Sequence, residues 1–133
     1  MAILIDADVI IAAERGTFDL RRWLDSLPAE EFEVAAITVA ELWHGVERAR
    51  SAHRAKRQKF LQESLTTFDI IPYTDQTAFV HARLWAELES GGQIIGAHDL
   101  ILAATALERG SAVATFNKRH FGVVQGLKVI EPV

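Results

Sequence analysis

Five short apolar runs, set between longer stretches of helical periodicity, constrain this chain more than any other feature. The runs are Ala2-Ile3-Leu4-Ile5, Val34-Ala35-Ala36-Ile37, Asp69-Ile70-Ile71, Ala112-Val113-Ala114-Thr115 and Lys128-Val129-Ile130. Each is too short for a buried helix and lacks the polar alternation of a half-exposed strand, as expected of strands covered on both faces. Between them the sequence predicts helices over 8–15, 18–26, 38–50, 53–66, 75–90 and 98–109, and a short helical turn near 118–121. In the fifth helix Ala78, Ala82, Trp85 and Leu88 recur at the spacing of one face, and Gly91-Gly92 stops it. The sixth is apolar nearly all round, which predicts a buried helix ended by Gly110. Strands alternating with helices mean an α/β fold, a parallel sheet of about five strands wrapped by helices on both faces. With no repeat, no low-complexity stretch and three prolines in 133 residues, a single domain over 1–133 is expected.

The absence of cysteine excludes zinc-ribbon, thiol-nucleophile and redox-motif chemistry. No run approaches the roughly 18 apolar residues of a membrane helix, and Asp6 cuts the apolar start before it forms a signal-peptide core, so no membrane role and a cytoplasmic location are expected. A net charge of -4 argues against binding nucleic acid by bulk positive charge. Six of the fourteen basic residues nevertheless lie in positions 48 to 59, without an acid: Arg48, Arg50, Arg54, Lys56, Arg57 and Lys59. Such a patch is either a polyanion contact confined to one face or a solvated helical surface.

Ligands of parallel α/β sheets bind beyond the carboxyl ends of the strands. Asp6 closes the first strand and so stands at that edge, with Asp8 just beyond. Glu41 lies near the start of the helix after the second strand. Asp99 opens a helix joined to strand 112–115 by a tight Gly110-Ser111 turn, which makes the helix antiparallel to its strand and brings Asp99 level with the strand's end. Thr115, at that end, faces the same rim. Glu41 and Asp99 also have ordinary explanations: Thr38-x-x-Glu41 reads as a capping box, and Asp99 complements a helix dipole. Asp6 has none, because an acid ending an apolar strand is buried with no basic neighbour in sequence.

Two unit charges ~4 Å apart repel by about 4 kcal/mol at an effective dielectric of 20, so converging acids need neutralising. No His or Cys accompanies them in ligand spacing, and hard oxygen donors suit Mg²⁺ or Mn²⁺. Without metal, at least one carboxyl should hold its proton to unusually high pH.

Four pieces in this order carry a resemblance: the opening apolar-Asp6-x-Asp8-Val9, then Thr38-x-x-Glu41-Leu42-x-x-Gly45, then Ala97-His98-Asp99 followed by Ala103-Ala104, and last Thr115-Phe116-Asn117-x-x-His120-Phe121. Together they resemble the PIN domain, in particular the VapC-type toxin ribonucleases of bacterial toxin–antitoxin pairs. The resemblance implies a three-layer α/β/α fold and a divalent-metal site of one or two ions, Mg²⁺ or Mn²⁺, held by Asp6, Glu41 and Asp99. It implies an endoribonuclease that hydrolyses RNA by metal-activated water. It also implies a homodimer and a VapB-like antitoxin partner. Asp8 is an extra carboxylate where relatives commonly carry a small polar residue, and His120 stands where they often carry a fourth acid. Thr115 and Asn117 are expected to support the acids by hydrogen bonding.

Lys118 and Arg119 are expected to hold the RNA backbone, with Arg54, Lys56 and Arg57 extending the track. Trp43 and Trp85 are either base-stacking or core residues. Gly45 inside a helix predicts close approach of another backbone. Two alternatives remain: a non-catalytic PIN-like RNA-binding or dimerisation module, and a haloacid-dehalogenase-type phosphatase with Asp6 as nucleophile, whose strand-plus-DxD opening Ile3-Leu4-Ile5-Asp6-x-Asp8 also fits.

Overall fold

The computed structural model describes residues 1–133. Its elements are β1 (Ala2–Ile5), α1 (Ala7–Glu14), α2 (Leu20–Asp25), β2 (Glu31–Ala35), α3 (Ala36–Arg48), α4 (Ser51–Leu65), β3 (Asp69–Ile71), α5 (Asp75–Ser90), α6 (Ala97–Arg109), β4 (Ala112–Ala114), α7 (Lys118–Phe121) and β5 (Val129–Ile130). The five strands form one parallel sheet in the order β3-β2-β1-β4-β5. Alternate residues of each strand feed opposite layers, because the side-chain period of a strand is two. Ile3, Ile5, Val34, Ala112 and Ala114 pack with Val9 and Ile10 of α1, Trp23 of α2, Leu42 and Val46 of α3 and Leu61 of α4. Leu4, Ala35, Ile71 and Val113 pack with Leu84 and Leu88 of α5 and Leu100, Leu102, Ala103 and Ala106 of α6. The architecture is therefore the three-layer α/β/α sandwich. No helix is long and apolar enough to cross a membrane.

The strand order reverses beside β1: the chain moves outward through β2 and β3, then crosses back to place β4 on the other side. Such a switch point leaves a crevice at the carboxyl ends of the two strands flanking it, here β1 and β4.

Several expectations need correction. The second apolar run is strand only to Ala35; Ala36 and Ile37 already belong to α3. Thr38 is then the third helical residue, fully buried with its hydroxyl unpartnered, and the N-cap is Ala35 without a side-chain bond. Thr38-x-x-Glu41 is therefore not a capping box. In α5 the buried stripe is Thr77, Leu84 and Leu88, while Ala82 and Trp85 are exposed. The neighbouring stripe has the same three-and-four spacing and is also apolar, so periodicity alone does not choose between them. Trp85 stacks on His81 instead, with ring centroids 5.7 Å apart, and Trp43 packs against the first core layer. Gly110 ends α6 in the left-handed region at φ 67°, where a side chain would be strained.

Gly45 meets a side chain and not a backbone: a Cβ there would lie 3.5 Å from Nη1 of Arg57, an ordinary contact. Since Gly in a helix interior costs about 1 kcal/mol against Ala, Gly45→Ala is expected to raise the urea midpoint by about that amount of stability. A lower midpoint would show that the helix pair cannot accommodate a methyl group.

Candidate active site

Asp6 leaves β1 as the N-cap of α1. Its Oδ1 accepts from the Ala7 amide at 2.8 Å and its Oδ2 from the Thr115 hydroxyl at 2.8 Å. The Asp6 amide continues the sheet ladder onto the Ala114 carbonyl at 2.9 Å, which locks the end of β1 to the end of β4. Asp8, in the first turn of α1, turns back to the same strand end. Its Oδ2 accepts from the Phe116 amide at 3.0 Å and lies 3.3 Å from the Thr115 hydroxyl, whereas its Oδ1 is buried with no partner. Thr115 thus bridges the two aspartates. It is held in turn by the Asn117 amide, which donates to its oxygen at 2.9 Å. Asn117 takes part through its backbone and not through its exposed side chain.

Asp99 stands in the first turn of α6, where the helix dipole favours a carboxylate. Glu41 stands one turn further into α3 than the expected capping position. The charges of Asp8 and Asp99 reach the neighbouring acids. Burial, then the Asp8 charge, push the Asp6 carboxyl up to about 7, and Asp99 adds to the rise; the bonds from Thr115 and Ala7 oppose it without prevailing. Asp8 is raised by burial first, against the bonds from Phe116 and Thr115, with Asp99 contributing. Glu41 is raised by burial, offset by His98 and reinforced by Asp99 and Asp8. One carboxyl does hold its proton to near neutrality, with burial the larger cause and the converging charges the smaller one.

Two histidines border the cluster. His120 places Nδ1 3.6 Å from Oδ2 of Asp99, and His98 places Nδ1 3.8 Å from Oε2 of Glu41. These distances exceed hydrogen-bond length but remain within charge range. The role of His98 beside Glu41 has no sequence signal, because the two are brought together only by the packing of α3 against α6. The Phe116 amide is equally invisible in sequence.

No group of three or more His, Asp and Glu side chains stands close enough to enclose an ion. The acids meet through pairwise couplings instead. The unpartnered, buried Oδ1 of Asp8 and the raised carboxyl of Asp6 are the features a small divalent cation would relieve.

The basic residues are placed unevenly. Arg54 pairs with Glu47 at 3.2 Å, and Arg57 pairs with Glu14 at 3.0 Å while donating to the Gly45 carbonyl at 3.3 Å. Lys56 is exposed on α4, and Lys118 and Arg119 are exposed on α7, directly after the Thr115 end of β4. The patch is thus in part an internal ion-pair lattice holding α4 to α1 and α3.

Residues 3–127 match the PIN domain. The chain is 32% identical over 131 residues to Ribonuclease VapC1 of Rickettsia felis, covering 98% of this chain and 96% of that one. It superposes on the crystal structure of VapBC2 from Rickettsia felis, bound to a DNA fragment from their promoter, with TM-score 0.92 and 25% identity over 98% of each chain. It also superposes on the crystal structure of FitAcB from Neisseria gonorrhoeae with TM-score 0.86 and 32% identity, covering 98% of this chain and 97% of that one. The match over 3–127 takes the place of the phosphatase reading of Asp6-x-Asp8. With its parallel sheet, its acids at the switch point and these relatives in agreement, the chain belongs to the PIN domain family, among the VapC ribonucleases.

Proposed function

We propose that this chain is the toxin of a type II toxin–antitoxin pair, an endoribonuclease that hydrolyses RNA phosphodiester bonds with Mg²⁺ or Mn²⁺ at the acidic rim. The observation that carries the reading is the convergence of Asp6, Asp8, Glu41 and Asp99 at the switch point of the sheet, where the charges of Asp8 and Asp99 raise Asp6 and Glu41 and that of Asp99 raises Asp8. The names of the relatives, a VapC ribonuclease and two toxin–antitoxin assemblies, support the reaction class and the partner. The partner is a VapB-like antitoxin. A homodimer and a cytoplasmic location belong to the same proposal, and exposed Phe79 and Trp85 on α5 are apolar surface that a second copy would cover.

In this reading Asp6, Glu41 and Asp99 hold one or two ions, and Asp8 adds its unpartnered Oδ1. When bound, the ion lowers the pKa of its water and stabilises charge on the phosphate. The Ala7 amide and the Thr115 hydroxyl aim the Asp6 carboxylate, and the Asn117 amide fixes the Thr115 oxygen that spans both aspartates. A carboxylate of the cluster takes the proton of the attacking water. Lys118 and Arg119 hold the RNA backbone where it leaves the acids, with Lys56 further along and Arg54 and Arg57 set by their carboxylate partners. His120, beside Asp99, occupies the place of the family's fourth acid. That replacement favours the second reading, a non-catalytic RNA-binding module, over any other.

Cleavage of a panel of single-stranded and structured RNAs by antitoxin-free protein decides between them. Cutting is expected in Mg²⁺ or Mn²⁺, none in chelator, and none by Asp99→Asn. Protein that binds RNA equally well as parent and variant, yet never cuts the panel, would remove the enzyme reading and leave the binding module.

A further inference from the structure

We propose that the cleft between α3 and α4, lined by His44, Arg48 and Arg57, seats an RNA phosphate adjoining the scissile one. The inference rests on the ribonuclease reading and extends it to how the substrate crosses a negatively charged centre. Glu41, His44, Gly45 and Arg48 recur along α3 at steps of three, one and three, so they share one helical face. With Ala49 and Arg57 they line a cleft of about 320 Å³. Glu41 joins the cleft to the acids: it is one of the lining residues, and its Oε2 lies 3.8 Å from Nδ1 of His98, the neighbour of Asp99 on α6. Arg48 brings an unpaired guanidinium to this lining and His44 an imidazole that can donate to a phosphate oxygen, while the charge of Arg57 is shared with Glu14.

The cleft is held open by a fixed wall. Arg57 donates through Nη1 to the Gly45 carbonyl and through Nε to Glu14, so its fork is anchored across α3. Gly45 contributes no side chain to the floor. Arg48 and His44 are exposed and have neither an ion pair nor a side-chain hydrogen bond. A helix C-terminus favours a cation such as Arg48. That local preference does not account for an unpaired guanidinium and an unpaired imidazole sharing one helical face beside an acidic centre.

The topology supplies a direction. The order β3-β2-β1-β4-β5 places Asp6, just past the end of β1, between the elements that follow β2 and those that follow β4. The first are α3 and α4 with this cleft; the second is α7 with Lys118 and Arg119. A single strand laid across the carboxyl edge of the sheet therefore meets cations, then the acids, then cations again. That is the arrangement a polyanion needs to approach four carboxylates.

The test measures binding of a short single-stranded RNA by fluorescence anisotropy in chelator over a range of salt, with His44→Ala/Arg48→Ala, Arg48→Lys and, as a control on α5, Arg83→Ala. The double variant is expected to bind about tenfold more weakly and to lose about 0.7 from the salt slope for each phosphate contact removed. Arg48→Lys keeps the slope, Arg83→Ala changes neither quantity, and urea midpoints of all variants match the parent. Parental affinity and slope in the double variant overturn the cleft, as does an equal loss in Arg83→Ala, which would show diffuse charge at work. Cutting in Mn²⁺ is read on the same proteins. A parent that binds through the cleft but never cuts sinks the ribonuclease reading alone, and a parent that cuts with the double variant's affinity unchanged sinks the cleft alone.

Discussion

In chelator at pH 8, Asp6→Asn unfolds at a higher temperature than the parent chain, while its RNA cleavage in Mg²⁺ falls by about a hundredfold or more. Asp6 is only 5% exposed, and burial followed by the Asp8 charge pushes its carboxyl up to about 7. In the unfolded chain the same group titrates near 3.8. Between these values the native state binds a proton that the unfolded state has released, so stability falls as pH rises through that window. The contribution is fully present below the unfolded value and lost above about 7. A span of roughly three units corresponds to about 4 kcal/mol as a ceiling.

Asn carries no charge and keeps an oxygen for the Ala7 amide, so the penalty goes while the cap remains. Melting curves at pH 5 and pH 8 check the sign: parent and variant converge at the lower pH. Added Mg²⁺ or Mn²⁺ raises the melting temperature of the parent more than that of the variant, because the variant lacks the most strongly raised carboxylate of the site. An Asp6→Asn protein less stable than the parent at pH 8 without metal would show that the site is not electrostatically strained.

Arg109→Ala is expected to destabilise the fold by about 3 kcal/mol, measured by urea unfolding. Glu33 lies inside β2 with its side chain 8% exposed, and its Oε2 accepts from Nη2 of Arg109 at 2.6 Å; its Oε1 has no partner. Removing Arg109 leaves a buried carboxylate uncompensated in the middle of the sheet. The low end of the range for broken buried pairs applies because Arg109 is itself 36% exposed. Glu33→Met/Arg109→Met should recover most of the loss, since an apolar pair of similar volume does without the desolvated charge. If the single and double variants are equally unstable, packing by the Arg109 stem and not the charge pair is what the sheet needs.

The neighbourhood of Asp6 was the most legible part of the chain. A carboxylate closing a buried strand has few structural reasons to be there, and the parallel-sheet rule then places Asp99 and Thr115 at the same rim from their chain positions alone. Glu41 was legible as to place and misread as to local role. The Thr38-x-x-Glu41 pattern looks like a cap whether the helix starts at Ala36 or at Thr38, and only the backbone shows that Thr38 is buried inside α3. The basic patch was legible as composition only. That Arg54 and Arg57 are spent on Glu47 and Glu14, while Arg48 stands free beside a cleft, depends on partners as far as 43 residues away.

By itself the sequence determined the number of strands, their parallel arrangement and the presence of acids at the ends of the right elements, because those follow from local periodicity and from the handedness and chain-length limits of crossover connections. Tertiary structure alone decided which stripe of α5 is buried, where α3 begins, which histidine borders which carboxylate and which cations remain free. Each of these is a choice between nearly equal local options. It is settled by packing and by charges brought together from distant parts of the chain, and such contacts leave no trace in spacing.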